Sequence, residues 1–272
     1  MTTATVTQSD ITKGFRELGI GPGDAVLVHS SLSSFGRVEG AADAVIDGII
    51  EALGPEGTLV VPALTGNPEL SPENPPHVDL RIAPCWVGRI PETARRRPQA
   101  VRSVHPTHSC AAIGKHAVAL TRGHYLSPTP CGITSPYFRL ALAGGMIVML
   151  GCDLSTCTTC HTVEELANVD FHLQQRVACG SCIDQAGVRI ETPCRLHSYD
   201  GPDRDYPALE PLLLEKGLMR KGTIGNAEIR VIHSMGLIET ALDRLRFDPY
   251  YLTVEKGRKQ PWVFPEGALG MA

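Results

Sequence analysis

Three stretches decide the fold: Ala25-Val-Leu-Val-His29-Ser-Ser31, residues 39–53, and Thr58-Leu-Val-Val-Pro62. An unbroken apolar run that ends in His29-Ser30-Ser31 predicts a strand buried on both faces. Within 39–53, Val45, Ile46, Ile49, Ile50 and Leu53 recur at helical spacing, and Gly54-Pro55 stops the pattern. Residues 58–64 read as the next strand. Strand, helix, strand at this spacing predicts a βαβ unit with a parallel pair. Upstream, Ser9 is placed to cap a short helix over 10–18 with Ile11, Phe15 and Leu18 on one face. Downstream, residues 66–84 are rich in Pro, Asn and Glu and predict a long irregular loop, a kind that is usually functional in a compact domain. Residues 89–97 read as a short helix, and 109–114 and 145–150 as buried strands. Gly151-Cys152-Asp153 then forms a natural mouth for a site beyond a strand's carboxyl end. Helical patterns cover 158–169, 207–216 and 234–245, the last capped by Ser234. Residues 177–182 and 188–191 predict a hairpin around Asp184-Gln-Ala-Gly187. No stretch resembles a linker or a repeat, so the expectation is one mixed α/β domain over residues 1–272.

Composition agrees. The 272 residues are 43% apolar and 20% charged, with 27 glycines and 21 prolines, which favours many turns over a helical bundle. A chain of this size hides roughly 70–75% of its unfolded surface. The formal charge of −4 and a single tight basic run, Arg95-Arg96-Arg97, argue against a nucleic-acid partner. Residues 146–150, the longest clean apolar run, fall far short of the ~20 residues a membrane helix needs. The N-terminus lacks a basic segment followed by an apolar one. The expectation is a cytoplasmic protein without a membrane partner, its nine cysteines being thiols or metal ligands.

A phosphate-binding G-x-x-x-x-G-K-[ST] loop, a G-x-S-x-G elbow and H-E-x-x-H are all missing. Cys157-x-x-Cys160 and Cys179-x-x-Cys182 have the spacing of a four-thiolate zinc site. Against zinc, residues three apart on a strand face opposite sides, and buried thiols commonly serve as small apolar groups. No metal is expected, with zinc on these four cysteines kept as the alternative.

Thr158-x-x-His161-x-x-Glu164, followed by Glu165, is the sharper signal. On a helix, positions three apart share a face. A carboxylate beside an imidazole orients it and favours its charged form, as a general base requires. Taken alone, the spacing is equally that of a helix start with a surface histidine.

Further blocks surround it: His29-Ser-Ser-Leu-Ser-Ser-Phe-Gly36, Leu53-Gly-Pro-Glu-Gly-Thr-Leu-Val-Val-Pro62, Arg102-Ser-Val-His-Pro-Thr-His-Ser109, Ala112-Ile-Gly114, Ser135-Pro136, Met149-Leu-Gly151 and Gly225-Asn-Ala227. In this order, over roughly residues 10 to 250, the set resembles the aminoglycoside 3-N-acetyltransferase family, the antibiotic N-acetyltransferase superfamily. The resemblance implies an α/β fold of that family's own type, unlike the GCN5-related fold. It implies acetyl transfer from acetyl-CoA to the 3-amino group of a 2-deoxystreptamine antibiotic, by direct attack in a ternary complex.

Carried over residue by residue, the resemblance makes His161 the general base, Glu164 its partner or a ligand of the substrate ammonium, and Thr158 a donor to the oxyanion. It assigns His29, Ser30, Ser31, Leu32 and Gly36 to the coenzyme-binding turn. Arg102, Ser103, Pro106 and Ser109 form a second coenzyme segment, with Arg102 as phosphate partner; His105 lines the site. Glu164, Glu165, Asp170, Asp79, Glu69 and Asp200 are expected to hold the rest of a small cationic amine. Two departures touch the acceptor's surroundings: Cys157 replaces a polar amide before Thr158, and Thr129-Pro-Cys131-Gly replaces the common P-F-G form. Three alternatives stand beside this reading: acyl transfer to another amine, a zinc-stapled non-catalytic relative, and a nucleophilic Cys157 or Cys160. Oligomeric state is open, a homodimer among the options.

Overall fold

A computed structural model describes residues 5–255. Its strands run β1 (Ala25–Ser30), β2 (Thr58–Pro62), β3 (His77–Asp79), β4 (Val101–Arg102), β5 (Cys110–Gly114), β6 (Met146–Leu150), β7 (Leu173–Ile183), β8 (Arg189–His197), β9 (Met219–Ile224) and β10 (Ala227–His233). The α-helices are α1 (Gln8–Glu17), α2 (Ala41–Leu53), α3 (Arg89–Arg95), α4 (Ala117–Thr121), α5 (Pro136–Leu142), α6 (Thr159–Leu166), α7 (Glu210–Glu215) and α8 (Ser234–Leu245).

β1 sits fourth in a seven-stranded sheet of order β4-β5-β2-β1-β6-β10-β9. It pairs parallel with β2 on one side and with β6 on the other, so the βαβ expectation holds. The outer pairs, β2 with β5 and β6 with β10, are antiparallel. Both faces are covered, which explains the unbroken apolar strands. Val26 and Val28 join Ile46 and Ile49 of α2 in one core, and Leu27 joins Tyr137 of α5 and Leu237 of α8 in the other. The carboxyl ends of β1, β2 and β6 come together where the connections leave in opposite directions, the place where open α/β sheets hold ligands.

Several local expectations are corrected. Thr7, not Ser9, caps α1: its backbone N–H donates to Asp10 Oδ2 at 2.9 Å, and Asp10 N–H returns to Thr7 Oγ1 at 3.3 Å. His233, not Ser234, caps α8, its Nδ1 accepting from Gly236 N–H at 3.0 Å. The 66–84 loop contains β3, which pairs with β7 in a second sheet of order β3-β7-β8. The β7–β8 hairpin forms around Asp184, whose Oδ1 accepts from Ala186 and Val188 N–H, and it runs well beyond the expected strands. α5 and the β9–β10 hairpin, turning at Gly225 (φ 57°), were not anticipated.

The segment 102–109 is also corrected: it is structural. Arg102 is 5% exposed. Its Nε donates to Ser109 Oγ at 3.0 Å, Nη1 to the carbonyls of Leu80 and Ala83 at 3.0 and 2.8 Å, and Nη2 to Ala63 O at 3.0 Å. Burial lowers its pKa to about 10. Ser109 Oγ donates to Ala63 O, Pro106 O accepts from Thr65 Oγ1, and Ser103 Oγ accepts from Cys110 N–H. The guanidinium fork thus ties the 63–84 loop to β4 and β5 and has no reach toward a phosphate. Lysine cannot reproduce a planar fork with four fixed acceptors. Arg102→Lys is expected to cost about 2–3 kcal/mol and to lower the thermal unfolding midpoint by roughly 5–10 °C. An unchanged midpoint in calorimetry would contradict the clamp.

Candidate active site

At the junction of the parallel strand ends lies a recessed pocket of about 390 Å³. His29, Ser30 and Ser31 at the end of β1, Cys152 beyond β6, and Thr158 and His161 at the start of α6 border it. Ser30 and Ser31 also border a wider cleft of about 730 Å³ whose far wall includes Leu32, Gly36, Ala41 and Arg89. The two spaces therefore meet at the serines that follow the first strand. Gly36 has φ 82°, and an added Cβ would press on the Asn226 amide at 2.9 Å, so the turn needs glycine there.

His161 reaches the pocket from α6, and its Nδ1 lies 3.0 Å from Glu164 Oε2 and 2.9 Å from the Tyr206 hydroxyl. Tyr206 O–H donates to the same Glu164 oxygen at 2.7 Å. A carboxylate can only accept, so hydrogen-bond logic puts the proton on Nδ1. Nε2 is left with a bare lone pair and has no hydrogen-bond partner among the described residues. Thr158 ends in a helical conformation one turn ahead, so its side chain and His161 share the pocket wall.

Glu164 is the hub beneath. It is 1% exposed and also receives Arg204 Nε at 2.7 Å and His172 Nδ1 at 3.0 Å. Burial acts to raise its pKa, but the hydrogen bonds from His161 and His172 prevail and hold it well below the usual range. Burial lowers the His161 pKa, only partly offset by Glu164, so the ring is neutral near pH 7. His172 is opposed by burial, yet hydrogen bonds to Glu164 and Glu165 raise its pKa. His29 is 4% exposed, with Nε2 unpartnered, and burial takes its pKa down to about 3.

The expected residues divide sharply. His29, Ser30, Ser31, Leu32, Gly36, Thr158 and His161 border the two connected spaces. Arg102, Ser103, Pro106 and Ser109 do not, and His105 is internal: its Nδ1 accepts from Thr107 and His108 N–H. Glu164 is saturated and buried, so it is corrected from substrate ligand to hydrogen-bond partner of His161. Glu165 is corrected likewise: its Oε1 accepts from Cys131 N–H at 2.8 Å and from His197 Nε2 at 3.1 Å. Glu69 is exposed and borders neither space. Asp170 and Asp200 lie with Glu73 on a separate groove of about 480 Å³. Asp79 is bound to Arg81 at 2.7 Å, on a depression that shares the exposed Trp86 with the His161 pocket.

The four-cysteine zinc site does not form. Cys157 and Cys160 pack in the core around α5, α6 and α8, Cys182 is buried on β7, and Cys179 is exposed on the same strand. The alternation along β7 is what separates the second pair. Arg89, Tyr206, Arg204, His172 and His197 were missed. Arg89 follows Gly88 at the start of a helix that the sequence does indicate, but the partners of Glu164 lie on three segments with no shared pattern.

Residues 27–246 match the family described as aminoglycoside 3-N-acetyltransferase. Aminoglycoside N(3)-acetyltransferase VII of Streptomyces paromomycinus is 33% identical over 86% of this chain and 89% of its own length. Aminoglycoside N(3)-acetyltransferase IX of Micromonospora chalcea is 35% identical over 82% and 87%. The crystal structure of aminoglycoside acetyltransferase AAC(3)-Xa superposes with a TM-score of 0.77 at 30% identity, covering 92% of this chain and 95% of that one. A match that spans both the strand-end turn and α6 leaves no part of the pocket outside it: the chain belongs to the aminoglycoside 3-N-acetyltransferase family and is an acetyltransferase.

Proposed function

We propose that this protein transfers the acetyl group of acetyl-CoA to the 3-amino group of a 2-deoxystreptamine aminoglycoside, with His161 as general base in a ternary complex. One observation carries the reading: Glu164 and Tyr206 hold the His161 Nδ1 side, and the ring lines a pocket that opens at Ser30 and Ser31 into a longer cleft. A thioester threaded along the cleft would bring its carbonyl to that junction. Names of relatives sharing about a third of their residues with this chain, and the solved complex of aminoglycoside acetyltransferase AAC(3)-IVa with apramycin, support the acceptor class.

The acceptor ammonium must first become an amine. One ammonium proton goes to solvent and frees the lone pair; His161, neutral near pH 7, takes a second at Nε2 as the nitrogen attacks the thioester carbon. The new C–N bond forms, the C–S bond breaks, and the departing thiolate takes a proton back from the imidazolium. The Thr158 hydroxyl stabilises the carbonyl oxygen while it carries charge. Arg89, exposed on the cleft wall, is the cation for the coenzyme's phosphates in the place expected of Arg102. The remainder of the sugar extends over Trp86 toward Asp79. Nine free thiols suit a reducing compartment, which favours the cytoplasm.

A second reading, acyl transfer to a different amine, is favoured by one fact: no carboxylate borders the His161 pocket among the described residues. Thiol release from acetyl-CoA, measured against 2-deoxystreptamine antibiotics and simple amines, separates the two. Turnover confined to the antibiotics supports the first, and turnover of simple amines alone supports the second. His161→Ala is expected to lower kcat by about 10²–10⁴, the range for a lost general base; full activity removes His161 from the mechanism. Arg89→Ala is expected to raise the KM for acetyl-CoA about five- to tenfold with kcat nearly unchanged, equivalent to losing ~1–1.4 kcal/mol of charge-assisted contact. An unaltered KM would place the phosphates elsewhere.

A further inference from the structure

The wall behind His161 contains a donor set that the proposed reaction does not use. His108, Cys131 and His197 are all buried, and one potential ligand atom from each lies within 4.8 Å of the other two. The two imidazoles meet edge to face, with centroids 4.3 Å apart. We propose that these three side chains bind one zinc-class divalent cation, with a solvent molecule completing a tetrahedral shell.

The hydrogen bonds around the three already suit ligation. His197 Nε2 is 3.1 Å from Glu165 Oε1, which can only accept, so the proton sits on Nε2 and Nδ1 is bare. The Thr107 hydroxyl lies 2.9 Å from His108 Nδ1 and 3.4 Å from His105 Nδ1, whose one lone pair already takes two backbone N–H bonds. In the tautomer the site calls for, the Thr107 oxygen accepts from His108 Nδ1 and Nε2 would meet the ion. Each ring thus has an oxygen beside one nitrogen, Glu165 at His197 and Thr107 at His108. This is the outer-shell arrangement that orients metal-ligating histidines.

Charge supplies the second argument. Glu165 is 3% exposed, and its Oε2 is buried with no hydrogen-bond partner. A divalent cation bound by one thiolate beside this carboxylate makes a neutral unit, which a low-dielectric site favours. Binding releases the thiol proton to solvent, so charge and atoms balance. Zinc–sulfur and zinc–nitrogen bonds of about 2.3 and 2.0–2.1 Å require the three ligands to draw together by roughly an ångström. Nucleophilic or redox use of Cys131 plays no part.

The test uses the full-length protein stripped by chelation and titrated with Zn²⁺, then with Co²⁺. One equivalent of zinc per chain by elemental analysis is expected, with the unfolding midpoint raised by roughly 5–10 °C at a hundredfold excess over Kd. Cobalt should give a thiolate-to-metal charge-transfer band, lost in Cys131→Ser and retained in Cys182→Ser. No stoichiometric binding to the wild-type protein overturns the proposal, and that result does not depend on any variant folding. Cobalt binding without a thiolate band overturns it too, by placing the ion on imidazoles alone, as does a band that survives Cys131→Ser.

Discussion

One buried carboxylate organises the catalytic wall. Glu164 receives Tyr206 from the 206–209 turn, Arg204 from the segment before it, His172 from the approach to β7, and His161 from its own helix. An ionised carboxylate this deep survives only because its lone pairs are all engaged; remove the partners and burial would neutralise it. The same bonds that keep it charged fix the ring of His161 and the tautomer it carries. The His161 ring is therefore held by the tertiary structure, with the helix supplying only its starting direction. A side chain whose orientation is set by packed partners has little rotamer entropy left to lose when a ligand binds beside it.

Where that wall stands follows from the sheet. β1 lies between two parallel neighbours, and the chain leaves its end into Ser30-Ser31, beside the turn that follows β6. Gly151 in that turn has φ 73°, and an added Cβ would overlap Ser34 Oγ, so the two turns touch. The second, smaller sheet contributes His197 from β8 and brings the acid–imidazole cluster behind His161. One layer thus presents the Ser30-Ser31 turn and another supports His161.

Much of the central fold was legible because it depends on local periodicity. The apolar run at 25–28, the helical stripe from Val45 to Leu53, and the glycine stops each report burial directly. The Thr-x-x-Asp capping pair at 7 and 10 was equally present, and the competing Ser9 obscured it. The β9–β10 hairpin carries a Gly225-Asn226 turn, a signal read for family likeness and not for structure. Arg102 failed for a different reason. An arginine next to a polar loop reads as a cation awaiting an anion, and only the folded loop reveals four oxygen acceptors already around it.

Residue types and their order determined the layered α/β core, the turn at the end of the first strand, and the helix that carries Thr158, His161 and Glu164, because each rests on contacts within a few residues. Tertiary structure decided which carboxylates stay internal, which arginine meets the cleft, and which cysteine faces two imidazoles. Those outcomes depend on desolvation and on partners far along the chain, such as Tyr206 against Glu164, 42 positions away. No spacing rule within a single segment can report the burial of a charge, since burial is set by whatever other segments come to lie against it.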